Sequence, residues 1–214
     1  MIFSPIVTLL STNKRHFGGM SVAQAPFERL QETRELTRTA LMASLTAVGA
    51  WLAFPLPLSP VPLTLQVVFM LMSGMLLGGR QGAASQILYL AMGALGLPVF
   101  SRGGAGVGVL LGPTGGYLVG FIPAAWICGI VAQRVRAITE EGHWLRGCGY
   151  AVAGVVGVFF LHAVGVARLT SVLHIRWDQA FVVGSLPFVI PDAVKAILAG
   201  CLVAGLERRG VGRV

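Results

Sequence analysis

Residues 186–206 read LPFVIPDAVKAILAGCLVAGL. The stretch is apolar except for Asp192 and Lys195, and residues 196–206 carry no charge. Positions i and i+3 share one face of a helix, so this carboxylate and this ammonium point the same way. Burying either charge alone in such a segment is costly, so the pair is expected to mark a functional site.

The composition of the 214 residues is typical of an integral membrane protein. Charged residues make up 11% of the chain, against about a quarter in a soluble domain, and the mean hydropathy is +0.79. Four runs contain no Asp, Glu, Lys or Arg: 39–79, 81–101, 103–133 and 147–167. Since a spanning helix needs roughly 20 apolar residues, these runs hold about five spans, and the stretch around Asp192 adds a sixth.

The basic residues predict the orientation of these spans, which we place at 37–56, 62–79, 82–98, 115–133, 149–168 and 187–206. Twelve basic residues then fall on one side of the membrane: Lys14, Arg15, Arg29, Arg34, Arg38, Arg80, Arg134, Arg136, Arg146, Arg208, Arg209 and Arg213. Three fall on the other side: Arg102, Arg168 and Arg176. The positive-inside rule makes the first side cytoplasmic. The chain is therefore predicted to be an all-α, six-helix, multi-pass protein of the cell membrane with both termini in the cytoplasm.

The net charge of +8 follows from this asymmetry. The expected partners of the basic residues are anionic headgroups of the lipid bilayer, and no nucleic-acid partner is predicted.

Three regions are expected: residues 1–36 as a cytoplasmic extension, partly disordered or amphipathic and without a function; 37–207 as the membrane domain that binds substrate; and 208–214 as a cytoplasmic tail.

Small residues line one part of the first span: Ala40, Ala43, Ser44 and Ala47. Small side chains at i and i+4 allow another helix to approach closely. Two interpretations stay open, packing inside the bundle and docking of a separate membrane partner.

Two connections between spans differ from ordinary linkers. Prolines alternate through residues 55–62, which favours an extended, non-helical segment; it is either a lid over a site or a segment in the headgroup region. Glycines and apolar residues mix through 93–117. Irregular backbone of this kind is tolerated at membrane depth where it lines a cavity, so this loop is expected to pack against the bundle.

Six polar side chains are expected to gather in the external half of the bundle: Gln86, Tyr89, Arg102, Tyr117, Asp192 and Lys195. Together they suit a small ligand with an apolar body, a carboxylate, and hydrogen-bonding groups of both signs. Either Arg102 or Lys195 is suited to the carboxylate. Two blander roles stay open: Gln86 and Tyr89 bonding between helices, and an ion pair that only fixes helix packing.

Catalytic and metal motifs are absent from the sequence. No P-loop, Gly-x-Ser-x-Gly or His-Glu-x-x-His pattern occurs, and Cys128, Cys148 and Cys201 have no metal-site spacing. His162 stands alone in its span and is expected to be structural. No catalytic residue, metal or cofactor is predicted, although a membrane enzyme, or an ion or proton pathway using Asp192 and Lys195, stays open as an alternative.

Three blocks resemble one known family: Tyr89-Leu90-x-x-Gly93-Ala94-x-Gly96-x-Pro98-Val99-Phe100, Leu111-Gly112-Pro113-Thr114-Gly115-Gly116-Tyr117, and Pro191-Asp192-x-x-Lys195. They closely resemble BioY, the biotin-specific S component of energy-coupling factor (ECF) transporters. The resemblance extends over about residues 36–207.

The resemblance implies high-affinity binding of biotin near the external face and its uptake by a larger complex. That complex would contain a transmembrane coupling subunit and two ATPase subunits, so this chain would not hydrolyse ATP itself. It also implies that Asp192 and Lys195 contact the ureido ring, that Arg102 contacts the ligand, and that the small-residue face of the first helix is the docking surface. The S component would topple in the membrane to deliver its substrate inward.

Overall fold

The computed structural model describes residues 25–57, 59–140 and 144–210, with side chains from Arg29 onward. The predictions for residues 1–24 and 211–214 lie outside these described residues. The chain divides into two compact units, Met1–Glu35 and Leu36–Val214. The helical bundle and its cavity belong to the second unit.

Helices form most of the described chain, together with one small sheet. The helices are α1 (Ala25–Trp51), α2 (Gln66–Leu77), α3 (Gly79–Ala94), α4 (Val107–Leu111), α5 (Gly115–Ile138), α6 (Trp144–Leu173), α7 (Trp177–Gly184) and α8 (Val189–Arg208). The strands are β1 (Ala53–Leu56) and β2 (Ser59–Thr64), and short 3-10 turns cover Ser101–Gly103 and Leu186–Phe188. The six predicted spans correspond to α1, α2, α3, α5, α6 and α8. Among the described residues, three segments are long and apolar enough to cross a membrane: Gly115–Ile138, Trp144–Leu173 and Trp177–Arg208.

The proline-rich connection is extended, as predicted, but it shortens the helices on both sides. α1 ends at Trp51 rather than near residue 56, and α2 begins at Gln66 rather than near residue 62. Between them β1 and β2 pair antiparallel, with Ala53 opposite Thr64. Proline cannot continue a helix or donate to a ladder, yet it is tolerated in edge strands, and both strands of a two-stranded sheet are edges.

Helix α2 lies at the centre of the bundle, and nearly all of its residues are buried. It reaches α3 through Gly78, whose φ of 81° is a left-handed conformation that favours glycine. At Gly82 an added Cβ would lie 2.7 Å from the Cα of Gly74, so glycine lets α2 and α3 approach closely. Helix α5 packs closely on this pair: a Cβ added to Gly74 would collide with the carbonyl of Ala125, so glycine permits the close approach.

The periphery of the bundle is apolar where it is exposed. On α6, Phe159 is 68% exposed, and on α8, Ile190 is 77% exposed. Side chains of this kind are stable on a surface that faces hydrocarbon, whereas a soluble monomer rarely exposes so many of them together.

An ion network, buried at Arg146 and Glu207 and half-buried at Arg136, joins the ends of α2, α5, α6 and α8. Glu207 accepts from Arg136 Nη2 at 2.7 Å and from the Tyr150 hydroxyl at 2.9 Å, and Arg146 Nη1 lies 3.5 Å away. Arg136 Nη2 also donates to the Met75 carbonyl at 2.8 Å. We call this region the Glu207 end of the bundle.

Candidate functional site

A cavity of about 230 Å³ lies at the other end of the bundle, which we call the cavity end. Its walls come from the β1–β2 hairpin, the start of α2, the loop after α3, the start of α5, the later part of α6 and the start of α8. This volume is below the roughly 300 Å³ at which pockets for small organic ligands usually begin, so a ligand that enters it must be compact.

Asp192 is the centre of the polar wall. Lys195 Nζ donates to Asp192 Oδ1 at 2.7 Å, and His162 Nε2 lies 3.0 Å from Asp192 Oδ2. The side chains of Asp192, Lys195 and His162 are only 3%, 9% and 13% exposed. Both carboxylate oxygens are therefore engaged, and each keeps one lone pair for a ligand.

The polarity of the His162 contact follows from its partner. An ionised carboxylate can only accept, so Nε2–H of His162 is the donor, and in a neutral ring Nδ1 is then an acceptor. Nδ1 is buried without a hydrogen-bond partner among the described residues. The ring packs near Tyr117 and Phe188, with centroids 5.9 and 6.0 Å away.

The local sequence explains where the charged pair lies on α8. Pro187 lies in the 3-10 turn, and Pro191 lies in the first turn of α8, which proline tolerates because its missing N–H has no partner there. Asp192 thus lies near the helix N-terminus, where the helix dipole favours a carboxylate. Lys195 follows one turn later and shares the face of Asp192.

Arg102 reaches the cavity from the loop after α3. Its φ of 60° and ψ of 29° are left-handed, a conformation that costs a non-glycine residue roughly 1–2 kcal/mol. Its side chain is exposed, and it forms no ion pair with any residue that the structure describes. The guanidinium is thus available for an anionic group.

The glycine-rich loop packs against the bundle, as predicted. Phe100 is buried against Gly93, where an added Cβ would collide with its ring. Gly106 N donates to the Gly93 carbonyl at 2.7 Å. These contacts hold the irregular backbone against α3 and carry Phe100 and Arg102 to the cavity wall.

A chain of hydrogen bonds runs behind another part of the wall. Thr64 Oγ1 donates to Gln66 Oε1 at 3.1 Å, Gln66 Nε2 donates to the Tyr89 hydroxyl, and that hydroxyl donates to the Val99 carbonyl at 3.1 Å. Thr64 and Gln66 line the cavity, whereas Tyr89 is fully buried behind them.

The structure brings together four of the six side chains predicted to gather here: Asp192, Lys195, Arg102 and Tyr117 all line the cavity. The Tyr117 hydroxyl donates to the Gly184 carbonyl at 2.6 Å. Tyr89 lies one layer behind the wall.

Gln86 does not reach the cavity. Its Nε2 lies 3.0 Å from the Ser85 hydroxyl, 3.1 Å from the Ser73 hydroxyl and 3.4 Å from the Thr46 hydroxyl. It thus joins α1, α2 and α3, the blander of its two predicted roles.

The small residues of α1 do not share one environment. Ala43 is buried and Ala47 is half-buried, so they pack inside the bundle. Ala40 and Ser44 are exposed, and Ser44 Oγ donates to the Ala40 carbonyl at 2.9 Å. Only Ala40 and Ser44 remain on a free face.

Sequence reasoning missed Thr64, Gln66 and His162 as cavity residues. Thr64 and Gln66 follow the proline-rich segment, and their only signal is polarity inside an otherwise apolar run. His162 is the one ionisable residue of the uncharged run 147–167 apart from Cys148 and Tyr150. An ionisable side chain in an uncharged span was the one signal that His162 could pair with Asp192. In the described part of the chain, no three His, Cys, Asp or Glu side chains are grouped to hold a metal ion.

Comparison with known proteins identifies the family. The BioY family profile matches residues 20–211. A protein of Lysinibacillus sphaericus named probable biotin transporter BioY is 40% identical over 184 residues, 83% of this chain and 89% of that protein. The biotin transporter BioY of Thermotoga maritima is 39% identical over 181 residues, 84% of this chain and 99% of that protein.

A solved structure shares the fold. The crystal structure at 2.1 Å of the S-component for biotin from an ECF-type ABC transporter superposes with a TM-score of 0.74 at 26% identity. The match covers 91% of this chain and 100% of that one. With this fold and this cavity, and on the matches of the family profile and of the two relatives, the chain belongs to the BioY family.

Proposed function

We propose that this chain binds biotin with high affinity and is the substrate-specific subunit of an ECF-type transporter in the cell membrane. The observation that carries the proposal is the buried Asp192–Lys195 pair on the wall of a compact cavity. The family match and the names of the relatives support biotin as the ligand.

The ureido ring of biotin complements the charged pair. It has two N–H donors and one carbonyl acceptor, while Asp192 has free lone pairs and Lys195 has two N–H groups beyond the one used on Asp192. Asp192 accepts a ureido N–H, and Lys195 donates to the ureido carbonyl. The apolar side chains of Phe100, Phe121 and Phe188 provide a wall for the sulfur ring.

Arg102 takes the carboxylate of biotin. Lys195 is buried and already bonded to Asp192, whereas Arg102 is exposed, lines the cavity, and has no carboxylate partner among the described residues. A guanidinium also binds a carboxylate through two parallel hydrogen bonds, which a lysine cannot do. The valeryl chain of biotin then runs from the charged pair toward the loop after α3.

His162 is a positioning residue for this contact. With Lys195 on Oδ1 and His162 on Oδ2, the carboxylate of Asp192 is held at both oxygens. A carboxylate fixed in this way loses little freedom when it accepts a ureido N–H, which favours binding.

An equilibrium titration of the purified protein in detergent tests this proposal. Biotin should bind to one site, and Lys195→Ala should abolish measurable binding while the protein stays folded by circular dichroism. Dethiobiotin keeps the ureido ring and the carboxylate, so near-equal affinity assigns recognition to the polar contacts, and a large loss assigns it to packing of the sulfur ring. Absence of biotin binding to the unmodified protein, or unchanged binding by Lys195→Ala, would overturn the proposed site.

The basic residues support an orientation with the cavity end outside the cell. Arg80, Arg134 and Arg146 belong to the Glu207 end, while Arg102 belongs to the cavity end. The positive-inside rule then places the Glu207 end and both termini in the cytoplasm, with 37–207 as the membrane domain between the extension 1–36 and the tail 208–214. Alkaline phosphatase fused to the C-terminus should be inactive in cells, and an active fusion would reverse the orientation.

The exposed small residues of α1 support docking of partner subunits. Ala40 and Ser44 offer a flat face to a transmembrane coupling subunit, itself bound to two ATPase subunits that hydrolyse ATP. Ser44→Leu should block uptake of radiolabelled biotin in cells and leave biotin binding by the purified protein unchanged. The control is Val119→Leu at an exposed position on α5; equal uptake by the two variants would argue against this docking face.

A further inference from the structure

The hydrogen bonds around Gln66 have a defined direction. The Val99 carbonyl can only accept, so the Tyr89 hydroxyl donates its one proton to that carbonyl. The oxygen of Tyr89 must then accept from Gln66, which assigns the amide nitrogen to the Tyr89 side. Gln66 Oε1 faces Thr64 and accepts from its hydroxyl.

This arrangement leaves Gln66 with unused hydrogen-bonding capacity. One N–H of Nε2 and one lone pair of Oε1 are engaged, so one donor and one acceptor remain, side by side on the same amide. The residue is only 3% exposed and lies on the cavity wall. Buried polar groups of this kind are normally satisfied by a partner.

We propose that Gln66 binds the second edge of the ligand's ureido ring. The inference rests on the proposed function and extends it. A cyclic urea has two edges, each with one N–H and one lone pair of the shared carbonyl. Asp192 and Lys195 offer an acceptor and a donor to one edge, and Gln66 offers the same pattern to the other. Gln66 is thus a specificity-determining residue, and Tyr89 and Thr64 are positioning residues that orient its amide.

The competing role for Gln66 is a structural tie between α2 and α3. Loss of biotin affinity in a variant does not separate the two roles, but the preference between two ligands does. 2-Iminobiotin carries a C=NH group in place of the ureido carbonyl, and at neutral pH its guanidinium has donors only. A residue that reads the carbonyl edge changes the preference for biotin over 2-iminobiotin, whereas a structural tie lowers both affinities by the same factor.

Titration of both ligands into the purified, full-length protein provides the test. Gln66→Leu should weaken biotin at least tenfold and reduce the preference for biotin over 2-iminobiotin at least fivefold. Gln66→Glu replaces the amide nitrogen by a carboxylate oxygen, so the Tyr89 hydroxyl must donate to the new carboxylate instead of to the Val99 carbonyl. The acceptor capacity that remains should bind 2-iminobiotin more tightly than the unmodified protein does. A structural tie does not account for such a gain.

Gln86→Leu is the matched control, because Gln86 is a buried glutamine of the same bundle outside the cavity. It should lower thermal stability and leave the ligand preference unchanged. If Gln66→Leu does not fold, Gln66→Glu alone decides. An unchanged preference in the folded Gln66 variants overturns this inference while biotin binding by the unmodified protein still upholds the proposed function; failure of that protein to bind biotin overturns both.

Discussion

Helix α8 carries two buried carboxylates, Asp192 near its start and Glu207 near its end, and they have opposite kinds of surroundings. They lie about 22 Å apart along the helix. Glu207 accepts from Arg136 and Tyr150 and lies beside Arg146, and none of these residues lines the cavity. Among the described residues, the hydrogen-bond partners of Asp192 are Lys195 and His162, and all three line the cavity.

The difference shows that a buried ion pair does not by itself identify a binding site. The arginines of the Glu207 network donate to protein acceptors, including the Met75 and Thr139 carbonyls. Few of their N–H groups therefore remain for a ligand. The Asp192 cluster, which consists of Asp192, Lys195 and His162, keeps lone pairs and ammonium protons beside an open volume, and the buried Nδ1 of His162 has no partner among the described residues. Unused capacity next to a cavity is the feature that separates a site from a structural network.

Glu207→Gln tests the structural half of this comparison and should have the largest effect. Removal of the charge leaves Arg136 and Arg146 uncompensated in a mostly buried place, which should lower the free energy of unfolding by about 3–5 kcal/mol. Thermal unfolding in detergent measures the loss. The affinity for biotin should change less than threefold, and a large change would mean that the two ends are coupled.

Asp192→Asn is the matched substitution at the cavity end. The amide has one acceptor fewer and no charge for Lys195, so biotin affinity should fall at least 100-fold, about 2.7 kcal/mol. Isothermal titration calorimetry on the folded variant measures it. Should Asp192→Asn bind biotin as the unmodified protein does, the Asp192 cluster would be structural like the Glu207 network.

Arg102→Ala sharpens the comparison at the rim of the cavity. The loss of charge-assisted bonds to the ligand carboxylate should weaken biotin at least tenfold, because such bonds contribute about 1.5–3 kcal/mol. Biotinamide lacks the carboxylate, so its affinity should be the same for Arg102→Ala and the unmodified protein. Equal losses for the two ligands would assign the carboxylate to another residue.

His162→Leu should have the smallest effect in this series. It frees Asp192 Oδ2 from its neighbour but leaves Lys195 in place, so biotin should weaken by about fivefold, near 1 kcal/mol. His162→Gln retains an N–H donor at similar reach and should recover most of the affinity. No recovery would indicate that the ring packing with Tyr117 and Phe188 is the essential contribution.

Much of the fold was predictable because a membrane-spanning helix requires a continuous run of apolar residues, and such runs are visible in the sequence. The runs without charge located the helices that became α1, α2, α3, α5, α6 and α8, and the alternating prolines excluded a helix after α1. The pairing of Ala53 with Thr64 was not predictable, because it depends on the register between two proline-containing strands. The same register carries Thr64 to the cavity wall.

The candidate site was only partly predictable. Asp192 and Lys195 were found because they are three residues apart and stand out in an apolar run, and Arg102 because it is the one charge in a glycine-rich loop. Gln86 and Gln66 are both glutamines in apolar helices, and nothing in their neighbours told which one would face the cavity. Packing decided that Gln86 bonds to Ser73 and Ser85 while Gln66 faces the open volume.

The sequence by itself thus determined the membrane class, the helix order and the charged pair on α8, because each of these depends on residues close together in the chain. Only the tertiary structure decided which distant polar groups meet. The contact between His162 and Asp192 joins residues 30 positions apart, and the hydrogen bond from Gln66 to Tyr89 joins residues 23 positions apart. Such contacts depend on how the helices are rotated and spaced, which the close packing at Gly74 and Gly82 establishes.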